Sequence, residues 1–154
     1  MTDENHAVLP PQPPIEYTSI SGRRYWALLF LMYIPYFGVI VAIIVAIVQR
    51  LSAMHVHHPI VRENARWAAN WAISYAFYLI ALIAIFLAVA APLNALRYQE
   101  DYPGGEALNF SVWLILVGSF IALVIYCLVT IIRGTVVSER VVHRPALAIP
   151  FLRA

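Results

Sequence analysis

The sequence predicts an all-α integral membrane protein: about three membrane-embedded helical segments, the first kinked or re-entrant near Pro35, and a C-terminal interfacial strip. Three observations carry this expectation. The chain has 154 residues, of which 62% are hydrophobic, with a mean hydropathy of +0.77, more apolar material than one soluble core of that length can bury. Three stretches contain no charged residue, Tyr25 to Gln49, Trp67 to Leu96 and Ala107 to Ile132, and each exceeds the roughly 20 residues that a helix needs to cross hydrocarbon. All ten basic residues are arginines, and they flank these stretches.

Residues 1–20 include Pro10, Pro11, Pro13 and Pro14 and little apolar material. A disordered, proline-rich tail is expected there, ahead of a single helical membrane domain over 21–154. Ser21-Gly22-Arg23-Arg24 before an apolar run has the outline of a twin-arginine export signal. The run is too long and too apolar for one and lacks a small-x-small cleavage site, so it reads as a retained membrane segment.

The first apolar run is interrupted by Tyr33-Ile-Pro-Tyr-Phe-Gly38. Proline removes a backbone hydrogen bond and glycine permits a turn, so this segment either crosses with a kink or folds back. The second run begins amphipathically. At about 100° per residue, Trp67, Trp71, Tyr75, Leu82 and Phe86 share a bulky face expected to meet lipid, beside a polar stripe of Glu63, Arg66, Asn70 and Ser74. Beyond that stripe lie Ala65, Ala68, Ala69, Ala72 and Ala76, small residues that let another helix approach closely. Pro92 is expected to end this helix. A polar loop with Pro103-Gly104-Gly105 follows. The third run carries Gly118, Ser119 and Ala122, a second small-residue packing candidate, and single Cys127, which reads as a core residue. From Val136 onward, arginine alternates with valine, proline and leucine, which fits a strip along the membrane surface.

Arginine position orients the chain. The loop 50–66 holds Arg50, Arg62 and Arg66, and the C-terminal strip holds Arg133, Arg140, Arg144 and Arg153, against Arg97 in the second loop. Both the first loop and the C-terminus are therefore expected on the cytoplasmic side of the membrane. A single crossing of the first segment makes the balance seven to three; a re-entrant one makes it nine to one and is preferred.

Glu63-Asn-Ala-Arg-Trp-Ala-Ala-Asn-Trp-Ala-Ile-Ser74 resembles, without gaps, the E-H-G-K-E-A-L-N-F-Q-I-S pattern of a bacterial family of small membrane proteins. Ile34-Pro35 within a broken first segment, and Gly134 followed by Arg144-Pro145-x-Leu147-x-Ile149, are similar to that family's flanking features. The family is catalogued as domain of unknown function 4870 and grouped with the chloroplast Tic-twenty import component. Ala65 and Trp67 stand where the family has glycine and a second acid. The resemblance implies a multi-span fold and leaves the molecular function open.

Every ionisable residue other than cysteine and tyrosine lies outside the apolar runs, which argues against proton relays, ion-coupled transport and haem ligation. The loops are short, and no nucleophile, base and orienting group fall together. A net charge of +2 is too small and dispersed for nucleic acid. His55, His57 and His58 form the best metal-binding candidate, although their spacing does not place two imidazoles on one helical face. Asn70, Ser74 and Asn109 are polar residues that either line a path or bond a neighbouring backbone. The expected function is that of a non-catalytic accessory or assembly subunit without cofactor. It would partner the bilayer and other protein subunits or its own copies; a translocation pore and a metal-handling protein are the rivals.

Overall fold

The computed structural model describes residues 21–97 and 105–153. The proline-rich tail and the turn residues Pro103 and Gly104 lie outside them. Within the described residues the chain is helical, with α1 at Arg23–Ala27, a 3-10 segment at Leu28–Tyr33, α2 at Gly38–Ala53, α3 at Pro59–Arg97 and α4 at Gly105–Val137. Two stretches, Pro59–Val89 and Glu106–Val137, are long and apolar enough to cross a membrane, and α2 is a shorter apolar helix.

The first apolar run does not continue through Pro35. Ile34 is extended, and Tyr36 takes a left-handed backbone, φ 66°, a conformation that costs a non-glycine residue on the order of 1 kcal/mol or more. The chain then reverses. A Cβ at Gly38 would stand 2.3 Å from the Leu31 carbonyl oxygen, so glycine lets the two arms of the hairpin touch. Both arms begin and end at one end of the molecule: the Gly22 amide donates to Ser138 O at 3.1 Å, and Arg50 Nη2 donates to Arg153 O at 2.8 Å. The turn lies beside Tyr75 and Leu79 of α3 and Phe120 and Val124 of α4, with the Tyr33 hydroxyl donating to Val124 O at 3.0 Å.

α2 buries only small residues, Gly38, Ala42, Ala46 and Ala53. α3 in turn buries Ala65, Ala68, Ala69 and Ala72. α2 and α3 make the broadest helix contact among the described elements, and small residues on both allow their backbones to close together.

Three expectations need correction. The bulky side of α3 does not face outward in this half: Trp71 is fully buried and Tyr75 nearly so, with Trp71 meeting Tyr126 of α4 edge-on at 5.5 Å. With α2 on the alanine side and α4 on the aromatic side, both sides are covered. α3 also runs through Pro92 to Arg97; a proline forfeits one backbone bond, and the remaining ladder carries the helix on. Finally, the C-terminal strip does not lie flat across the end of the bundle. It climbs along α3, turns near Pro145 to Ala148, and descends again.

Candidate functional site

What α3 offers the returning strap is a row of polar side chains. Asn64, fully buried, uses both donors and both acceptor positions of its amide. Its Nδ2 donates to Ile60 O at 3.0 Å and Val141 O at 3.1 Å, and its Oδ1 accepts from Trp26 Nε1 at 3.3 Å and from the His143 amide at 3.0 Å. One side chain thereby joins α1, α3 and the strap.

Higher on the helix, Tyr78 donates its hydroxyl to Leu147 O at 2.7 Å. Ser74 Oγ accepts from the Ile149 amide at 2.8 Å and donates to Asn70 O at 2.7 Å. Asn70 then grips one peptide unit from both sides, its Oδ1 accepting from the Leu152 amide at 2.8 Å and its Nδ2 donating to Leu152 O at 3.3 Å. Irregular backbone is tolerated in an apolar setting only when its polar groups find protein partners, and these amides and hydroxyls supply them.

Asn70 and Ser74, which the sequence marks as polar intramembrane residues, are thus brought together and engaged by the strap. Asn109 stands apart near the far end of α4, buried beside Glu106, Phe110 and Trp113, with its Oδ1 unpartnered among the described residues. Of the small-residue set, Ala65, Ala68, Ala69 and Ala72 are buried within the chain itself and Ala76 is half-buried, whereas Gly118 and Ala122 are exposed on α4. The alanine face is therefore filled by the protein's own helices, which removes it as a surface for a partner. Cys127 is buried, its Sγ 3.8 Å from Met32 Sδ.

His55, His57 and His58 occupy the connection between α2 and α3. Among the described residues no three His, Cys, Asp or Glu side chains converge as a metal shell. His143 is placed differently: half-buried on the strap, its ring edge-on to Trp26 at 4.9 Å. Burial, with the Arg133 charge second, pushes its pKa below the usual histidine value.

The arginine end carries a further feature. Arg50 of α2 and Arg62 and Arg66 of α3 enclose, with Met54 and Glu63, a cleft of ≈ 250 Å³. Glu63 pairs with Arg66 at 2.5 Å. Trp67 lies just beyond, its ring within cation–π reach of Arg66 and Arg144, at 5.5 and 5.7 Å.

Sequence reasoning missed Asn64 and Trp26, and it read Gly134 only as part of the family resemblance. A Cβ on Gly134 would lie 2.2 Å from Trp26 Cδ2, so α4 carries glycine where the α1 indole crosses it. The available signal was a tryptophan and a glycine at the margins of apolar runs, which does not reveal that they meet. No protein-family model matches this chain, and no curated protein and no solved structure matches it.

Proposed function

We propose that this chain is a non-catalytic integral membrane protein of the bacterial inner membrane that serves as an accessory or assembly subunit of a larger complex. In this reading α3 and α4 cross the bilayer, the α1–α2 hairpin is re-entrant, and the loop 50–66 and the C-terminus are cytoplasmic. The orientation is supported by charge. The hydrogen bonds of Gly22, Arg50 and Asn64 gather both arms of the hairpin, the start of α3 and the end of α4 at one end, and with them nine of the ten arginines, leaving Arg97 at the other.

The observation that carries the accessory role lies on α4. Gly118, Ser119 and Ala122 are exposed, and a Cβ on Gly118 would meet nothing within 4 Å. Small residues gain nothing from lipid contact, whereas they let a second helix approach. Membership in the family that the α3 motif resembles is also proposed. It is supported by proximity, because Asn70 and Ser74 of the motif bond Ile149 and Leu152 of the closing strip. A translocation pore is less well supported, since two of the three polar residues that would line it, Asn70 and Ser74, are engaged by the strap and the third, Asn109, stands apart from them on α4.

Single cysteines replacing Ser52 and Gly104 in a Cys127→Ala background test the topology. Opposite labelling by an impermeant thiol reagent is expected, and labelling of Ser52→Cys from outside the cell would refute the orientation. Recovery of co-purifying subunits, or of the protein's own oligomer, after mild detergent extraction tests the role. Gly118→Leu and Ala122→Leu should lower it severalfold, and full recovery from both would remove the α4 face from the argument.

A further inference from the structure

The cleft at the arginine end has the chemistry of a phosphate site, and it opens beside an apolar track. Arg50, Arg62 and Arg66 place three guanidinium groups around one cavity against a single carboxylate, Glu63. Arg50 Nε and Arg66 Nε are both buried without a hydrogen-bond partner among the described residues, although a buried donor ordinarily finds one. Glu63 accounts for one Nη of Arg66, and Arg153 O and the Met54 thioether sulfur for one Nη each of Arg50, which leaves Arg50 Nε, Arg66 Nε and the second Nη of Arg66. The guanidinium forks therefore retain donors that an oxyanion could fill.

Met54, which lines the cleft, is also the last member of a stripe on α2. Ile40, Ile44, Ile47, Leu51 and Met54 recur at i, i+4, i+7, i+11 and i+14, and all five are exposed. The stripe is about 21 Å long, against roughly 15 Å for the hydrocarbon of one leaflet. It runs from the cleft towards the middle of the bundle, where the hairpin turns. A charged head beside an acyl-length track is the form of an anionic phospholipid.

We infer that the Arg50, Arg62 and Arg66 cleft is a specific site for an anionic phospholipid, its phosphate held by the guanidinium groups and one acyl chain lying along the Ile40 to Met54 stripe of α2. The inference rests on the membrane reading above. Glu63 then acts as a tuning residue, since it competes with the phosphate for Arg66.

The test uses the full chain in detergent, with lipid retention read by native mass spectrometry and lipid-induced stabilisation by thermal melting. Phosphatidylglycerol should be retained one to one and raise the melting temperature, whereas phosphatidylcholine of the same chains, zwitterionic at its headgroup, should be retained at least tenfold less. Arg62→Gln with Arg66→Gln should weaken phosphatidylglycerol binding about twenty-fivefold, each guanidinium contributing roughly fivefold. Glu63→Gln should strengthen it, a gain that a merely structural role would not produce. Arg23→Gln with Arg24→Gln, at the same end but outside the cleft, should leave it unchanged. Equal loss from the Arg23 and Arg24 pair, or equal retention of the two lipids, would overturn the site in favour of diffuse surface charge. Glycerol 3-phosphate protecting as well as the lipid would overturn the lipid as its source. Alkaline carbonate washing separates the two readings: a chain extracted from membranes defeats the membrane reading, while one that stays but does not discriminate lipids defeats this site alone.

Discussion

Asn64 is the position where one substitution removes three tertiary hydrogen bonds at the arginine end, to Trp26, Val141 and His143. Asn64→Leu keeps the branched outline and opens no cavity, while the larger leucine adds an overpacking cost of about 1–3 kcal/mol at this fully buried site. It leaves Trp26 Nε1, the His143 amide and Val141 O without the partner each has now; Ile60 O loses only a second bond, since it sits within the α3 ladder. Side-chain hydrogen bonds in membrane proteins average about 0.6 kcal/mol and reach about 1.7 kcal/mol. Three of them amount to roughly 2–5 kcal/mol. Amide hydrogen exchange of the C-terminal peptide is the direct assay, because the His143, Ile149 and Leu152 amides donate to Asn64, Ser74 and Asn70. Where local opening controls exchange, a loss of 2 kcal/mol accelerates it about thirtyfold. Ser52→Ala serves as the control, as its hydroxyl bonds only Val48 O one turn back on an exposed face. If strap exchange in Asn64→Leu stays within twofold of the wild type, the strap is held by apolar packing and the amide hub is incidental.

Two glycines of α4 should respond in opposite directions: Gly134→Ala forces its methyl against the Trp26 ring and should cost about 1–3 kcal/mol. Gly118→Ala, with open space above it, should gain up to about 1 kcal/mol of helix propensity, and thermal melts of the two variants decide this. Because burial lowers the His143 pKa, the unfolded chain binds the proton more readily than the folded one. Stability is therefore full above about pH 6.5 and falls as pH drops through that value; strap protection factors, with the intrinsic exchange rate at each pH divided out, should fall from pH 7.5 to 5 in the wild type and stay flat in His143→Gln. Ala72→Leu should destabilise the isolated chain by about 1–3 kcal/mol, since Ala72 is buried in the chain's own core, and an unchanged melt would contradict the helix contacts described above.

The helical class and the two long apolar helices were legible because lipid-length apolar runs are a one-dimensional signal. The break at Pro35 was legible too, since proline and a following glycine state their effect locally. The enclosure of α3 was not. Trp71 and Tyr75 read as lipid-facing because size alone cannot say which of two bulky surfaces a helix turns to its neighbour, and Tyr126, the partner of Trp71, is more than 50 residues away in sequence. The small stripe of α2 went unnoticed among isoleucines and valines that dominate the same run. The strap is the instructive failure. Its arginines and prolines fit a surface strip, and only the alignment of Leu147, Ile149 and Leu152 with Tyr78, Ser74 and Asn70 shows that its backbone is bonded along α3. Asn70 and Ser74 were visible as polar residues in an apolar helix, but their partners are backbone groups, which leave no trace in residue identity.

The hairpin and the strap turn back at the same height, one beside Tyr75 and Leu79, the other at the Tyr78 hydroxyl. Below that level α3 is enclosed by α1, α2, α4 and the strap. Above it, among the described residues, only α3 and α4 continue, touching through Phe86 and Trp113 at 5.0 Å while Ile80, Ile83, Leu114 and Ile115 stay exposed. A soluble protein would bury such a two-helix extension, because its exposed apolar surface would drive association in water. In a bilayer the same extension costs nothing, and the requirement moves to the backbone, whose polar groups must be satisfied wherever the chain is not helical. The chain meets that requirement where its irregular strap runs, with Asn64, Asn70, Ser74 and Tyr78, and carries plain apolar helix elsewhere. The division of polar side chains along α3 therefore follows the course of the strap, which accounts for a polar stripe in an apolar helix without an aqueous path.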